Sequence, residues 1–142
     1  MRRTVKGLLV LAAGGGLAVA PLLAATPALA LPSTVYVSPT GTILNAGTSC
    51  QTAQFSLINL AMVAVASGGT VIVCPGTYNQ DAVVLKPLTL QGQGAAIIDA
   101  TAKLNGVSVV ASNVTVRDLT VENAIGDGIL VAGNGARIRD NT

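Results

Sequence analysis

The feature that most constrains this chain is a repeat of about 22 residues in its C-terminal half. A shift of 22 positions aligns residues 105–109 (NGVSV) with residues 127–131 (DGILV), and residues 114–118 (VTVRD) with residues 136–140 (ARIRD). Periods of about 20 to 50 residues are typical of solenoids, in which each repeat forms one turn of a stacked structure. The repeat therefore predicts a fold built from similar coils.

A less regular copy precedes these two repeats. Residues 82–85 match residues 106–109 at an offset of 24, and residues 88–90 match residues 114–116 at an offset of 26. The offset changes in a turn, where insertions are tolerated. We expect about three and a half coils, and because the last one stops inside a repeat, one interpretation is a fragment of a longer solenoid.

The repeats consist of short strands separated by Gly, Asn and Asp, with no helical period. Nine runs of mostly aliphatic residues are found, at 70–74, 82–85, 88–90, 96–98, 107–110, 114–116, 119–121, 129–131 and 136–138. Successive coils would stack their strands about 4.8 Å apart in parallel sheets. The sequence thus predicts an all-β fold, the right-handed parallel β-helix.

The alternation of strand side chains predicts which residues face the interior of the coils. The predicted inward residues of the last two coils are Val114, Val116, Ala136 and Ile138. The predicted outward residues are Thr115, Arg117, Arg137 and Arg139.

Residues 1–30 have the pattern of a cleavable secretion signal. A basic start, MRRTVK, precedes an apolar stretch that is short for a membrane span, and small residues precede a cleavage site between Ala30 and Leu31. We expect export by the general secretory route and an extracellular protein with no membrane attachment after cleavage. The Arg2-Arg3 pair leaves a twin-arginine signal as the alternative.

Cleavage changes the charge of the chain. Residues 31–142 hold five basic and six acidic residues, so their net charge is −1, whereas the full sequence has +2. A nucleic-acid partner would require a basic surface, and this composition argues against one.

Cys50 and Cys74 are the two cysteines of the sequence. In an exported chain such a pair indicates a disulfide rather than a metal site, and closing a loop of this length stabilises by about 3 to 4.7 kcal/mol. A catalytic thiol is the alternative, although the sequence contains no His to activate it.

Residues 31–68 are expected to form a strand, a loop and a capping helix, ahead of the coils in residues 69–142. The helix is predicted over residues 52–66, with Thr52 as its N-cap and glycines at its end. The positions predicted to face the coils are Ala53, Leu57, Leu60, Ala61 and Ala64. The helix would cover the open end of the β-helix; a role in the membrane or in export is the alternative.

Three segments carry a family resemblance: YVSPTG at residues 36–41, GGTVIVCPGTY at residues 68–78 and KPLTLQG at residues 86–92. They resemble the N-terminal part of secreted bacterial proteins of the pectate-lyase-like right-handed parallel β-helix family. The resemblance implies a secreted protein associated with extracellular polysaccharide. It does not imply one reaction, because the family includes polysaccharide lyases, glycoside hydrolases, epimerases and surface proteins.

The candidate site is the charged cluster of the last two coils, Arg117, Asp118, Arg137, Arg139 and Asp140. Stacking would place Arg117 below Arg139 and Asp118 below Asp140. Such a face could bind an anionic sugar or a cation, and the alternative is a solvated ladder in which neighbouring opposite charges relieve repulsion. No cofactor is expected unless the protein is a lyase, where carboxylates would hold Ca²⁺ and an arginine would accept the proton.

A glycoside hydrolase would instead need two carboxylates at a defined separation, and no spacing in the sequence selects a pair. Asn105 and Asp127 are better explained as turn residues before Gly106 and Gly128. Catalytic residues therefore stay unassigned. The open alternatives are a lyase or hydrolase of acidic polysaccharide, a non-catalytic surface-binding module, and a fragment that associates end to end through an uncapped last coil.

Overall fold

The computed structural model of this chain describes residue 25 and residues 27–142, so the body of the predicted secretion signal lies outside the described residues. Ala30 and Leu31, on either side of the predicted cleavage site, are exposed and belong to no helix or strand. The elements in chain order are β1 (Thr34–Val37), a short 3-10 helix (Cys50–Thr52), α1 (Ile58–Ala64), β2 (Thr70–Val73), β3 (Gly76–Tyr78), β4 (Ala82–Val84), β5 (Thr89–Gly92), β6 (Ala96–Asp99), β7 (Val107–Val109), β8 (Thr115–Arg117), β9 (Thr120–Glu122), β10 (Ile129–Val131) and β11 (Arg137–Arg139).

The strands form three parallel sheets. The first sheet has the order β1-β2-β5-β8-β11, the second β3-β6-β9 and the third β4-β7-β10. Each passage of the chain through the three sheets makes one coil, so β2–β4, β5–β7 and β8–β10 are three coils and β11 begins another. The predicted all-β solenoid is confirmed.

The strand register confirms the offset of 22 in the last two coils. Val107 pairs with Ile129 in the third sheet, and Val116 pairs with Ile138 in the first. The offset of 26 is also confirmed, because Leu90 pairs with Val116. Sequence self-alignment therefore located the stacking partners of these strands correctly.

The predicted offset of 24 was wrong by one residue. Ala82 pairs with Val107 rather than with Gly106, so the true offset is 25. Ala82 and Val84 consequently point inward and are fully buried, whereas Leu85 is 72% exposed. Because strand side chains alternate, a slip of one residue exchanges the buried and exposed sets, and the buried alanine decides between them.

The interior is a stack of aliphatic side chains from the three sheets. In the first sheet, Val71, Leu90 and Val116 lie on successive strands in register, and all are fully buried. Complete burial of one such side chain stabilises by about 1.5 to 3 kcal/mol. No buried polar or charged residue is found in the part of the chain that the structure describes.

Strand β3 was not predicted from the sequence. It begins at Gly76, directly after Pro75, and this Pro-Gly pair is typical of a turn. Pairing with β6 nevertheless makes the segment extended, with Tyr78 opposite Ile98. Tertiary pairing thus overrode the local turn preference.

The predicted helix over residues 52–66 was wrong in its start, and of its predicted inward positions Ala61 is buried on α1. Helix α1 begins only at Ile58, with Leu57 at its N-cap, and Thr52 belongs to the separate 3-10 helix. The side chains that α1 and its C-cap bury are Ile58, Ala61, Met62 and Val65, which are spaced by three and four residues. Leu57 and Leu60, predicted to face the coils, are 49% and 54% exposed.

Helix α1 covers the N-terminal end of the coils, as predicted, by packing against β1, β2 and β4. The Asn59 amide takes the place of a neighbouring strand. Its Nδ2 donates to the carbonyl oxygen of Asp81 at 2.9 Å, and its Oδ1 accepts from the backbone N–H of Val83 at 2.9 Å. At the other end of α1, Lys86 Nζ donates to the carbonyl oxygens of Val63, at 3.0 Å, and Val65.

The predicted disulfide between Cys50 and Cys74 is confirmed and joins the 3-10 helix to the end of β2. Beside it, the buried Tyr78 hydroxyl lies 2.8 Å from the carbonyl oxygen of Cys74 and 2.9 Å from that of Val37, and donates to this pair. Burial raises the pKa of Tyr78 far above its ordinary value, against a smaller opposite effect of the Cys74 bond. These contacts fix the N-terminal loop to the first coil.

Candidate functional site

The outer face of the first sheet presents two in-register columns of side chains. One column is Thr34, Thr70, Thr89, Thr115 and Arg137, and the other is Tyr36, Ile72, Gln91, Arg117 and Arg139. The predicted outward orientation of Thr115 and Arg117 is confirmed, because Val116 between them is fully buried. Arg137 and Arg139 continue the same two columns in register, but Ile138 between them, predicted to face the interior, is 40% exposed on this last strand of the sheet. From the sequence, only the residues of the last two strands in these columns were identified, on β8 and β11.

Three arginines, Arg117, Arg137 and Arg139, are brought together on this surface, which we call the arginine face. Arg139 lies directly over Arg117 in the parallel register, and Arg137 is two residues earlier on the same strand. Arg137 and Arg139 are exposed, and neither has a carboxylate within 4 Å among the residues described. The arginine face therefore offers guanidinium groups that protein carboxylates leave unpaired.

Gln91 holds one of these guanidinium groups in place and was missed in the sequence. Its Oε1 accepts a hydrogen bond from Arg117 Nη2 at 2.7 Å. The offset of 26 that aligns Leu90 with Val116 also aligns Gln91 with Arg117, so the signal was present one residue further along. The bond restricts the Arg117 side chain on the sheet surface.

Asp118 and Asp140 occupy equivalent corners of successive coils rather than the sheet itself. Both have the left-handed backbone conformation, with φ of 58° and 56°, which Asp adopts more readily than most residues. The corner passes so close to the coil below that a Cβ on Gly92 would lie 1.9 Å from the Asp118 carbonyl oxygen. The repeated aspartates thus have a turn function.

Among the residues described, Asp118 lies within 4 Å of an arginine of this face and Asp140 does not. Asp118 Oδ2 lies 3.8 Å from Arg117 Nη1, with both side chains more than one third exposed. An exposed pair at this distance stabilises by at most about 1 kcal/mol. The predicted charge relief is therefore found at Arg117, and it leaves Arg137 and Arg139 unpaired.

Another polar cluster surrounds Asp99, the last residue of β6, where the chain leaves the second sheet. The Thr101 hydroxyl donates to Asp99 Oδ1 at 2.6 Å and the Asn123 amide donates to it at 3.0 Å. The Thr101 hydroxyl, followed by Asn123, holds the pKa of this exposed carboxyl below its usual value. Its partners are turn residues, so the cluster is explained by turn formation.

Asn105 and Asp127 lie in the corresponding turns of successive coils, as predicted. The Asn105 Oδ1 accepts a hydrogen bond from the backbone N–H of Asp127 at 3.3 Å. The glycine after Asn105 is required by packing, because a Cβ on Gly106 would lie 2.1 Å from a methyl group of Val121.

A groove lies at the opposite end of the first sheet from the arginine face. Its volume is about 520 Å³, and it separates the outer side chains of β1, Thr34 and Tyr36, from residues 46–48 and Gln54 of the following loop. We call it the Tyr36 groove. It was not predicted, because the loop that forms its second wall carries no repeat.

Two further properties of the described residues bear on function. In residue 25 and residues 27–142, no group of three or more His, Cys, Asp or Glu side chains is arranged to hold a metal ion. The same part of the chain contains no helix with the length and apolar character needed to cross a bilayer.

No protein-family model matches the chain, and no curated protein matches it with statistical significance. The resemblance to pectate-lyase-like proteins therefore stays a prediction.

Proposed function

We propose that the protein is an exported, non-catalytic β-solenoid module that binds acidic extracellular polysaccharide through the arginine face. The observation that carries the proposal is the stacking of Arg139 over Arg117 with Arg137 on the same strand. Guanidinium groups form paired hydrogen bonds with carboxylates, the group that a polyuronate repeats along its length. A parallel sheet presents such groups at regular intervals of about 4.8 Å.

The proposed extracellular location has separate support. The Cys50–Cys74 disulfide is of the kind that persists in oxidising compartments. The exposed position of Ala30 and Leu31 would leave the predicted cleavage site accessible to a peptidase. Signal cleavage is checked by N-terminal sequencing of the exported protein, which should begin at Leu31.

Binding is tested by titrating the disulfide-bonded protein with polygalacturonate in calorimetry at low and high salt. Because the contacts are exposed and ionic, binding should weaken as salt is added. Replacing both Arg117 and Arg139 by Ala should weaken binding by about ten-fold or more. The matched control is Lys103→Ala, which removes one exposed positive charge away from this face and should change affinity by less than about two-fold.

The alternative is that the protein is a lyase or hydrolase of the same polysaccharides. Unsaturated product or new reducing ends, produced by the wild type and lost in the arginine variants, would establish that alternative. Absence of polygalacturonate binding at low salt, or an equal loss in Lys103→Ala, would contradict the binding proposal.

A further inference from the structure

The Tyr36 groove has the size and composition of a ligand site that the arginine face does not use. Its volume of about 520 Å³ falls within the range of about 300 to 1,000 Å³ typical of small-molecule sites. It lies beside β1, the strand at the opposite end of the first sheet from β11. Strands β2 and β5 separate a single sugar unit in this groove from Arg117 on β8.

The groove is lined by uncharged groups. Its polar lining residues are Ser33, Thr34, Tyr36, Thr48 and Gln54, its other lining residues are Pro32, Val35, Ala46 and Gly47, and none of these residues is charged at neutral pH. An aromatic ring beside neutral donors and acceptors suits a ligand with an apolar face and a rim of hydroxyl groups. A sugar ring has that chemistry, and the absence of charge in the lining favours an uncharged sugar.

Tyr36 is the aromatic side chain available for such a contact. It is half-buried and projects from the outer face of β1. Tyr78 is buried and hydrogen-bonded to carbonyl oxygens, and Phe55 packs partly against the core. A ring held on a strand loses little conformational freedom when it stacks on a ligand.

The second wall of the groove is held in place before any ligand binds. The Gln54 Nε2 donates to the carbonyl oxygen of Asn45 at 2.9 Å, and the backbone N–H of Gly47 donates to the carbonyl oxygen of Thr52 at 2.6 Å. The Cys50–Cys74 disulfide joins this loop to β2. A preformed wall lowers the entropy that binding would otherwise lose.

We propose that the Tyr36 groove binds an uncharged sugar unit of an extracellular glycan, with the sugar ring stacked on Tyr36. The inference is independent of the arginine face, because the two surfaces share no residue. Loss of one activity would leave the other in place.

The test uses the full, disulfide-bonded protein and two probes, the linear hexamers of β-1,4-linked glucose and of β-1,4-linked N-acetylglucosamine. At least one should bind saturably in a calorimetric or NMR titration. Tyr36→Ala should weaken that binding about ten-fold, whereas Tyr36→Phe, which keeps the ring, should retain affinity within about three-fold.

Two controls separate the groove from the rest of the sheet. Thr89→Ala changes the same outer face outside the groove and should leave hexamer affinity unchanged. Replacing Cys50 and Cys74 together by Ser frees the second wall, and should reduce hexamer binding by about ten-fold or more while circular dichroism still shows a β fold.

Three results would overturn the inference: no saturable binding of either hexamer at millimolar concentration, unchanged affinity in Tyr36→Ala, or sedimentation showing that the groove is occupied by a second copy. The last result would appear as a dimer of the wild type that dissociates in Tyr36→Ala. Polygalacturonate binding by the same variants distinguishes failure of the groove from failure of the arginine face.

Discussion

In the first coil, the N-terminal edges of β2 and β4 are covered in two different ways. Beside β2, β1 adds a complete parallel strand, and four consecutive residue pairs from Thr34 to Val37 align with β2. Over the third sheet, α1 lies across β4 and satisfies its edge with the amide of Asn59. Strand β1 pairs with its neighbour along its whole backbone, whereas α1 is held by the hydrogen bonds of one side-chain amide and by its buried apolar residues.

An apolar helix precedes the coils because the edge of β4 needs a cover. The exposed edge of a parallel sheet can pair with other chains, and a helix laid over it prevents that pairing. Because a helix backbone cannot form the hydrogen bonds of a neighbouring strand, one of its side chains must pair with the free backbone groups of the edge strand. Asn supplies both a donor and an acceptor, as a strand backbone does.

The largest expected effect tests the buried face of α1. Ile58 is fully buried, so Ile58→Ala should lower the free energy of unfolding by about 2 to 5 kcal/mol in urea denaturation. The matched control is Leu60→Ala on the exposed side of the same helix, for which we expect less than about 1 kcal/mol. Equal losses in the two variants would show that the helix face is assigned incorrectly.

A smaller effect is expected when the Asn59 amide, which hydrogen-bonds to the edge of β4, is removed. Asn59→Ala leaves the N–H of Val83 and the carbonyl of Asp81 without their partner, and should cost about 2 kcal/mol. Asn59→Asp keeps the acceptor for Val83 but places a carboxylate oxygen against the carbonyl oxygen of Asp81, so its loss of unfolding free energy should be at least as large at neutral pH. Hydrogen exchange of the Val83 amide, faster in the Ala variant and unchanged in β1, would locate the effect.

The smallest effect concerns Tyr78, which ties the strand-covered edge to the first coil. Tyr78→Phe removes the hydroxyl that donates to the carbonyls of Cys74 and Val37, and should cost about 1 kcal/mol at neutral pH. Thermal unfolding of both proteins at pH 7 measures this difference.

The same variant has a distinct pH dependence. The folded state raises the pKa of Tyr78 above its ordinary value of 10.0, so its proton is held in the folded protein and released on unfolding at alkaline pH. As the pH rises above 10, the free energy of unfolding of the wild type should fall by up to about 1.4 kcal/mol per pH unit through this group. Tyr78→Phe should lack that contribution. If the free energies of unfolding of the two proteins fell in parallel above pH 10, this assignment would be contradicted.

Much of the solenoid could be predicted because its contacts repeat along the chain. All nine predicted runs contain or overlap strands, and the pairing of Val116 with Ile138 follows from one offset. The single wrong register, at Ala82, lies where the offset changes between coils, since no periodicity specifies the length of an irregular turn there.

The candidate sites were predictable to different degrees. The arginines of the last two coils were placed correctly, because alternation decides the side of a strand on which a residue lies. Gln91 was missed because it lies one residue beyond the aligned run at residues 88–90, although the same offset of 26 places it beside Arg117. The Tyr36 groove depends on a loop held by the disulfide and by individual hydrogen bonds, for which the sequence carries no periodic signal.

The sequence by itself determined the stacked coils, the inward positions of Val114 and Val116 and the pairing of Cys50 with Cys74, because the first two depend on periodicity and the third on there being two cysteines. The tertiary structure alone decided which face α1 buries, that Asn59 replaces a strand, and where the loop stands away from β1. These features arise when distant segments meet. Their free energy comes from contacts that neither segment specifies alone.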